Sequence, residues 1–215
     1  MIAINLPAVC NALSNARTST YFSALQDKSA PPSRALDLYV WNLQLGASLM
    51  THISVCEVVI RNSVDDALSA AHGKQWPWNK GFYLNLNTRG REALEKARKG
   101  QPTTGKVIAE FSFGFWENMF VSSFDADLWN IHLKVVLPNL PLESTVQQAR
   151  ADVRQKLDRL RRLRNRIAHH EPLLKIDTPA CLQDAHDLIS YRCVDTAAWI
   201  AQTNDIAALV ALRPI

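Results

Sequence analysis

The 215-residue chain has little of what builds stapled or metal-held folds. Its four cysteines, Cys10, Cys56, Cys181 and Cys193, lie far apart, with no Cys-x-x-Cys pair and no Cys/His cluster at zinc-ligand spacing. That excludes a disulfide framework and a zinc module, and no metal or other cofactor is expected. Seven glycines and ten prolines are too few for a collagen-like or low-complexity chain. The segment Gly100 to Lys106 holds two glycines and a lysine but lacks the Walker spacing, so nucleotide binding there is not expected. The opening Met1 to Pro7 has neither a basic region nor a long apolar core, so a secretory signal is not expected and the cytoplasm is.

Charge is missing from Leu38 to Cys56, a window about as long as a membrane span. The window nevertheless carries Asn42, Gln44, Ser48, Thr51, His52 and Ser54, a polarity that suits a helix buried in protein and not one in lipid. No membrane partner is expected.

What the sequence does have is helical periodicity from end to end. Helices are predicted at about Ala8–Gln26 and Arg34–His72, the second following the Pro31-Pro32 break with Ser33 as cap and ended by Gly73. Others are predicted at about Arg89–Lys99, Lys106–Phe124 and Glu143–His170. A last one, capped by Thr178 with Pro179 at its first position, runs to about Leu212. Trp76-Pro77-Trp78-Asn79 reads as a turn, and Phe82, Leu84 and Leu86 alternate over a short extended piece. The expectation is one all-α domain over residues 1–215, a bundle of about six helices with one long central helix.

The net charge of +4 is concentrated in one place. Between Arg150 and Arg166 lie eight bases, Arg150, Arg154, Lys156, Arg159, Arg161, Arg162, Arg164 and Arg166, against Asp152 and Asp158. The rest of the chain is slightly acidic. A basic helix of this kind either is a solvated face or meets an anionic partner such as a phosphate backbone, with Arg154, Arg161, Arg162 and Arg166 as candidate RNA contacts.

Two charged anomalies stand out by spacing. Val153, Leu157, Leu160, Arg164 and Ile167 fall on one helical stripe, so Arg164 takes a seat where leucine is expected. On the long helix, Leu36, Val40, Leu43, Ala47, Met50, Ser54, Glu57 and Arg61 fall on another, which puts Glu57 and Arg61 on an apolar line. These two either pair within the helix at i, i+4 or join a polar cluster with Arg164 and a substrate phosphate. Five aromatics, Phe111, Phe113, Phe115, Trp116 and Phe120, are expected in the core and not as base-stacking platforms. His52, His72, His132 and His186 are expected to be ordinary residues.

Directly after Arg164 the chain reads Asn165-Arg166-Ile167-Ala168-His169-His170-Glu171-Pro172. An arginine and a histidine suit RNA cleavage: imidazole can move the 2′-OH proton or protonate the leaving 5′ oxygen, and a guanidinium can hold the phosphate as its charge grows. On an ideal helix Arg164 lies about 140° from His169 and about 120° from His170, so they share no face. Either the helix becomes irregular before Pro172, or a second subunit completes the site across a symmetry axis.

Arg164-Asn165-x-x-x-His169 resembles the arginine-to-histidine motif of the HEPN superfamily, all-α ribonucleases and nucleic-acid-binding modules of prokaryotic defence and toxin systems. More narrowly, the chain resembles the Abi-like (abortive infection) family within it. The resemblance is carried by Leu13 to Arg17 with Tyr21, Leu38 to Asn42, Glu57 to Asn62, Gly105 to Trp116, and Leu163 to Pro172, in that order. It implies a metal-independent endoribonuclease in which 2′-OH attack leaves a 2′,3′-cyclic phosphate, acting as a toxin in phage defence. It also implies two domains facing each other; with one motif in the chain, the expectation is a homodimer.

By position the resemblance makes Arg164 the phosphate-stabilising residue and His169 the acid/base. Asn165 orients the site, and His170 would satisfy a longer spacing, so either histidine could act. Glu57, Arg61, Asn62 and Glu171 would support. Two other readings stand beside this one. The chain could be a non-catalytic nucleic-acid-binding or protein-interaction module on the same scaffold, or its basic segment could dock an acidic antitoxin in place of RNA.

Overall fold

A computed structural model describes residues 5–25, 31–203 and 205–214. Met1–Ile4 and Gln26, which bear on the expected chain start and first helix end, lie outside the described residues. Among the described residues there are twelve α-helices and no strand, so the chain is all-α, but with twice the expected number of helices. They form two compact units: residues 1–51, 164–179 and 204–215 make the first, and residues 52–163 and 180–203 the second.

The first unit opens with α1 (Leu6–Leu13) and α2 (Asn15–Ala24). One helix was expected here, but Ser14 breaks it with φ 70°, and Asn5 caps α1 by accepting from the N–H of Ala8. The long helix α3 (Pro32–His72) begins at Pro32 and not after a Ser33 cap, since proline at the first helical position loses no hydrogen bond. By length and composition α3 is apolar enough to cross a membrane.

Spacing on α3 misleads about its core face. The expected stripe is not buried: Val40 is 50% exposed and Leu43 39%. The buried line is Ala35, Leu38, Leu45 and Leu49 in the first unit, continued by Ile53, Cys56, Ile60, Val64 and Leu68 in the second. Leu38 to Cys56 carries no charge and has apolar side chains on more than one face, so period alone cannot choose between its faces. The first unit is further locked by polar contacts from α3. The Trp41 indole donates to the Leu209 carbonyl of α12 (Ile206–Ala211) at 2.6 Å, and Arg213 lies over the Trp41 ring.

In the second unit the segment expected to be extended is α4 (Lys80–Asn85), because Asn79 caps it by accepting from Phe82 N–H and Phe82 and Leu86 bury one face at i, i+4. It is followed by α5 (Thr88–Arg98) and α6 (Thr104–Glu110). The aromatic stretch is split as well: Phe111 and Ser112 turn extended between α6 and α7 (Phe113–Asn118). Broken there, the chain buries Phe111, Phe113, Phe115, Trp116 and Phe120 together, which one straight helix presenting them on several faces would not. The aromatics are core, as their spacing predicts. After a π-turn at Asp125–Trp129 comes α8 (Asn130–Val136). The basic helix α9 (Val146–Ala168) follows. The expected last helix is three: α10 (Thr178–Arg192), α11 (Val194–Ala201) and α12, the first break falling at extended Cys193.

Candidate functional site

On α9, Val153, Leu157, Leu160 and Leu163 are buried, and Arg164 is exposed. The apolar line takes the i+3 step from Leu160 to Leu163 and not the i+4 step to Arg164. The guanidinium is thereby spared the several kcal/mol that desolvating an unpaired charge costs. Arg164 is thus a surface cation and not a buried anomaly.

The basic segment is largely neutralised within the protein. Arg150 pairs with Asp125 at 2.8 Å, Lys156 with Asp152 at 3.1 Å and Asp187 at 3.2 Å, and Arg159 with Asp184 at 2.6 Å. Arg161 pairs with Asp158 at 2.7 Å and with the buried carboxylate of Glu117, and Arg162 pairs with Asp158 at 2.8 Å. The Asp158 carboxyl is partly buried, which alone would raise its pKa; the hydrogen bonds from Arg162 and Arg161 outweigh this and hold it below the usual value. Arg166 pairs with Glu171 at 3.4 Å. Among the described residues Arg154 and Arg164 are the two α9 bases of this run with no ion pair, and both are exposed. Six of the eight bases are therefore tied into the fold. Arg161, Arg162 and Arg166, expected as RNA contacts, first serve carboxylates: Asp158 one turn away on α9 takes Arg161 and Arg162, Glu171 just past its end takes Arg166, and only Glu117, on Arg161, is distant in sequence.

Helix α9 ends at Ala168 and not at His170, and the chain turns irregular there, one of the two alternatives that the angle between Arg164 and the histidines left open. The end is a Schellman motif: Glu171 N–H donates to the Arg166 carbonyl and His170 N–H to the Ile167 carbonyl, each at 2.9 Å. The position that takes a left-handed conformation in this motif is usually glycine. Here it is His170, with φ 55°. Three contacts hold the strained turn: Arg17 Nη1 donates to the His170 carbonyl at 2.6 Å, Arg166 Nη1 to the Pro172 carbonyl at 3.2 Å, and Leu173 N–H to the buried Asn42 side chain at 2.7 Å. Below the turn, Ile167 meets α3 at Gly46, where a Cβ would come within 3.3 Å of its Cγ2.

His169, His170 and Glu171 are exposed and stand between two cavities of the first unit. One, of about 310 Å³, is lined by Arg17, Thr20 and Tyr21 of α2 and by His169 to Pro172. The other, of about 350 Å³, is lined by Leu43, Ala47 and Met50 of α3 with Ile167, His170 and Glu171. Arg164 and Asn165 line neither. Asn165 is half-buried, and its carbonyl accepts from His169 N–H at 2.9 Å.

Glu57, Arg61 and Asn62 belong to the second unit. Arg61 is half-buried, with its Nε buried and without a hydrogen-bond partner among the described residues. The second unit also brings together His52 and His186, whose Nδ1 and Nε2 stand 3.4 Å apart. Among the described residues no group of three or more His, Cys, Asp or Glu side chains could hold a metal ion.

Spacing gave no role to Arg17 or Asn42, because each acts on a turn more than 125 residues away in sequence, nor to Tyr21, which lines a cavity with that turn. Comparison with models of known families, with curated proteins and with solved structures finds no match to this chain.

Proposed function

We propose that the chain is a metal-independent endoribonuclease of the HEPN type, cleaving RNA by 2′-OH attack and serving phage defence as an Abi-like toxin in the cytoplasm. The observation that carries it is the end of α9: an exposed, unpaired Arg164 followed by two exposed histidines on a braced turn beside two cavities. Imidazole is the side chain suited to proton transfer at neutral pH, and an arginine free of carboxylates is available to a phosphate. His169 is the acid/base in this reading, Arg164 holds the phosphate, Asn165 and Glu171 support the turn, and His170 supplies its left-handed link.

The active form is a homodimer. The exposed stripe Val40, Leu43 and Ala47 continues into the cavity that His170 and Glu171 line, so a second copy seated on α3 would bring its own turn to the same cleft. The test is incubation of an end-labelled RNA pool with the purified protein in excess chelator, with analysis of product ends. The reading expects 2′,3′-cyclic phosphate termini; products that appear only with added divalent metal, or that carry 3′-hydroxyl ends, would overturn it.

The exposed α3 stripe also favours a second reading, a protein-interaction module without catalysis. An acidic antitoxin docking on α9 is disfavoured, because most of the basic side chains there already have carboxylate partners.

A further inference from the structure

The cavity between α2 and the His169–Pro172 turn is lined by Arg17 and Tyr21, two residues whose donors the proposed chemistry leaves unused. Arg17 is exposed and spends one N–H on the His170 carbonyl; no other hydrogen bond or ion pair engages its guanidinium among the described residues. Tyr21 is the reverse case. Its side chain is 1% exposed and packs edge-on against Tyr39 at 5.1 Å, yet its hydroxyl is buried without a hydrogen-bond partner among the described residues. Native folds rarely leave a buried hydroxyl without a partner, so this one is a donor still open to a bound group.

The electrostatics of the wall select an anion. Burial, with Tyr39 beside it, pushes the Tyr21 hydroxyl up to about 12 against the opposing pull of Arg17, so it stays protonated and able to donate. Glu171 is the one acid lining this cavity, and its carboxylate is already taken by Arg166. Arg17 then leaves the cavity positive, next to both histidines.

We infer that this cavity is a phosphate subsite for RNA, in which Arg17 and Tyr21 bind the phosphodiester neighbouring the one cleaved. Arg17 is also a positioning residue, since the same guanidinium braces the His170 turn. The inference rests on the endoribonuclease reading for the identity of the ligand.

The probe is a 2′-O-methyl RNA oligonucleotide, which lacks the nucleophile and is not consumed, titrated against wild type, Tyr21→Phe, Arg17→Ala and Arg17→Lys. Cleavage of the matching RNA is followed in parallel. Tyr21→Phe removes one oxygen that bonds to no described residue, so thermal stability is expected to hold or rise while affinity falls about tenfold. KM should rise with kcat nearly unchanged, and Arg17→Lys should keep part of the affinity that Arg17→Ala loses. A stabilised Tyr21→Phe protein that binds weakly is an outcome no purely structural role produces.

Affinity within about twofold of wild type in both Tyr21→Phe and Arg17→Ala, with cleavage intact, overturns the subsite and leaves the nuclease standing. Binding that depends on both residues without cleavage by any protein supports the subsite and removes the nuclease. No binding by wild type overturns the subsite.

Discussion

The guanidinium of Arg17 on α2 donates to the backbone carbonyl of His170, 153 residues further along the chain, at 2.6 Å. That contact pins a histidine whose backbone, at φ 55°, has the conformation in which helices usually place glycine. The turn is a strained element held from outside, and it sets the two histidines beside the cavities.

His170→Gly tests the strain. Glycine takes a left-handed conformation without the penalty of about 1–2 kcal/mol that a Cβ brings, so the variant should be more stable and melt several degrees higher. If His169 is the acid/base, this variant keeps RNA cleavage within about tenfold of wild type, whereas His169→Ala loses at least about a hundredfold. Thermal melts and single-turnover cleavage rates check both halves.

The ion pairs of α9 make a graded prediction. Glu117 has 8% side-chain exposure and Arg161 31%, so Arg161→Ala strands a buried carboxylate and should cost about 2–3 kcal/mol. Arg162 is 73% exposed, and its alanine variant should cost less than about 0.5 kcal/mol. Urea unfolding of the two variants side by side measures the difference.

Asp158 gives the pH dependence. Its folded-state pKa lies below the ordinary carboxylate value, so the unfolded chain takes up the proton first. Its stabilising contribution is therefore complete above about pH 4 and is lost as pH falls through the folded value. The stability gap between wild type and Asp158→Asn should be about 1 kcal/mol at neutral pH and should narrow on acidification below about pH 4. A gap that widened in acid would reverse the assignment.

Much of the fold is legible in the sequence, and the failures share a cause. Long α3 and basic α9 follow from their period and their flanking Pro and Gly, and the aromatic cluster belongs to the core. Spacing fails where a segment is apolar on more than one face. On α3 it selects Val40 and Leu43 over Leu38 and Leu45, and in the aromatic stretch it draws one helix where the chain breaks to bury every ring. Charge is misread in part for a related reason: Glu117, Asp125 and Asp184, which take Arg161, Arg150 and Arg159, are distant in sequence, and the local acids Asp152, Asp158 and Glu171 each serve bases beside them. The turn at His169 and His170 could be anticipated from Pro172 and the angle to Arg164. Its braces, Arg17 and Asn42, could not, because no local pattern links α2 or α3 to a turn so far along the chain.

The exposed α3 stripe predicts the oligomeric state. Val40 and Leu43 are 50% and 39% exposed, so replacing both with Glu should leave folding intact, as surface substitutions usually do. Mass measurement should find a dimeric wild type and a monomeric Val40→Glu/Leu43→Glu variant, and cleavage should be lost with the dimer. A wild type that is monomeric at high micromolar concentration contradicts the shared cleft.

The most direct measurement compares wild type, Arg164→Ala and His169→Ala for cleavage of one RNA in excess chelator, with folding of each checked by circular dichroism. Both residues are exposed, so both variants should fold. Cleavage by wild type and a loss of at least about a hundredfold in each variant are expected. Full cleavage by both folded variants would contradict the proposed roles.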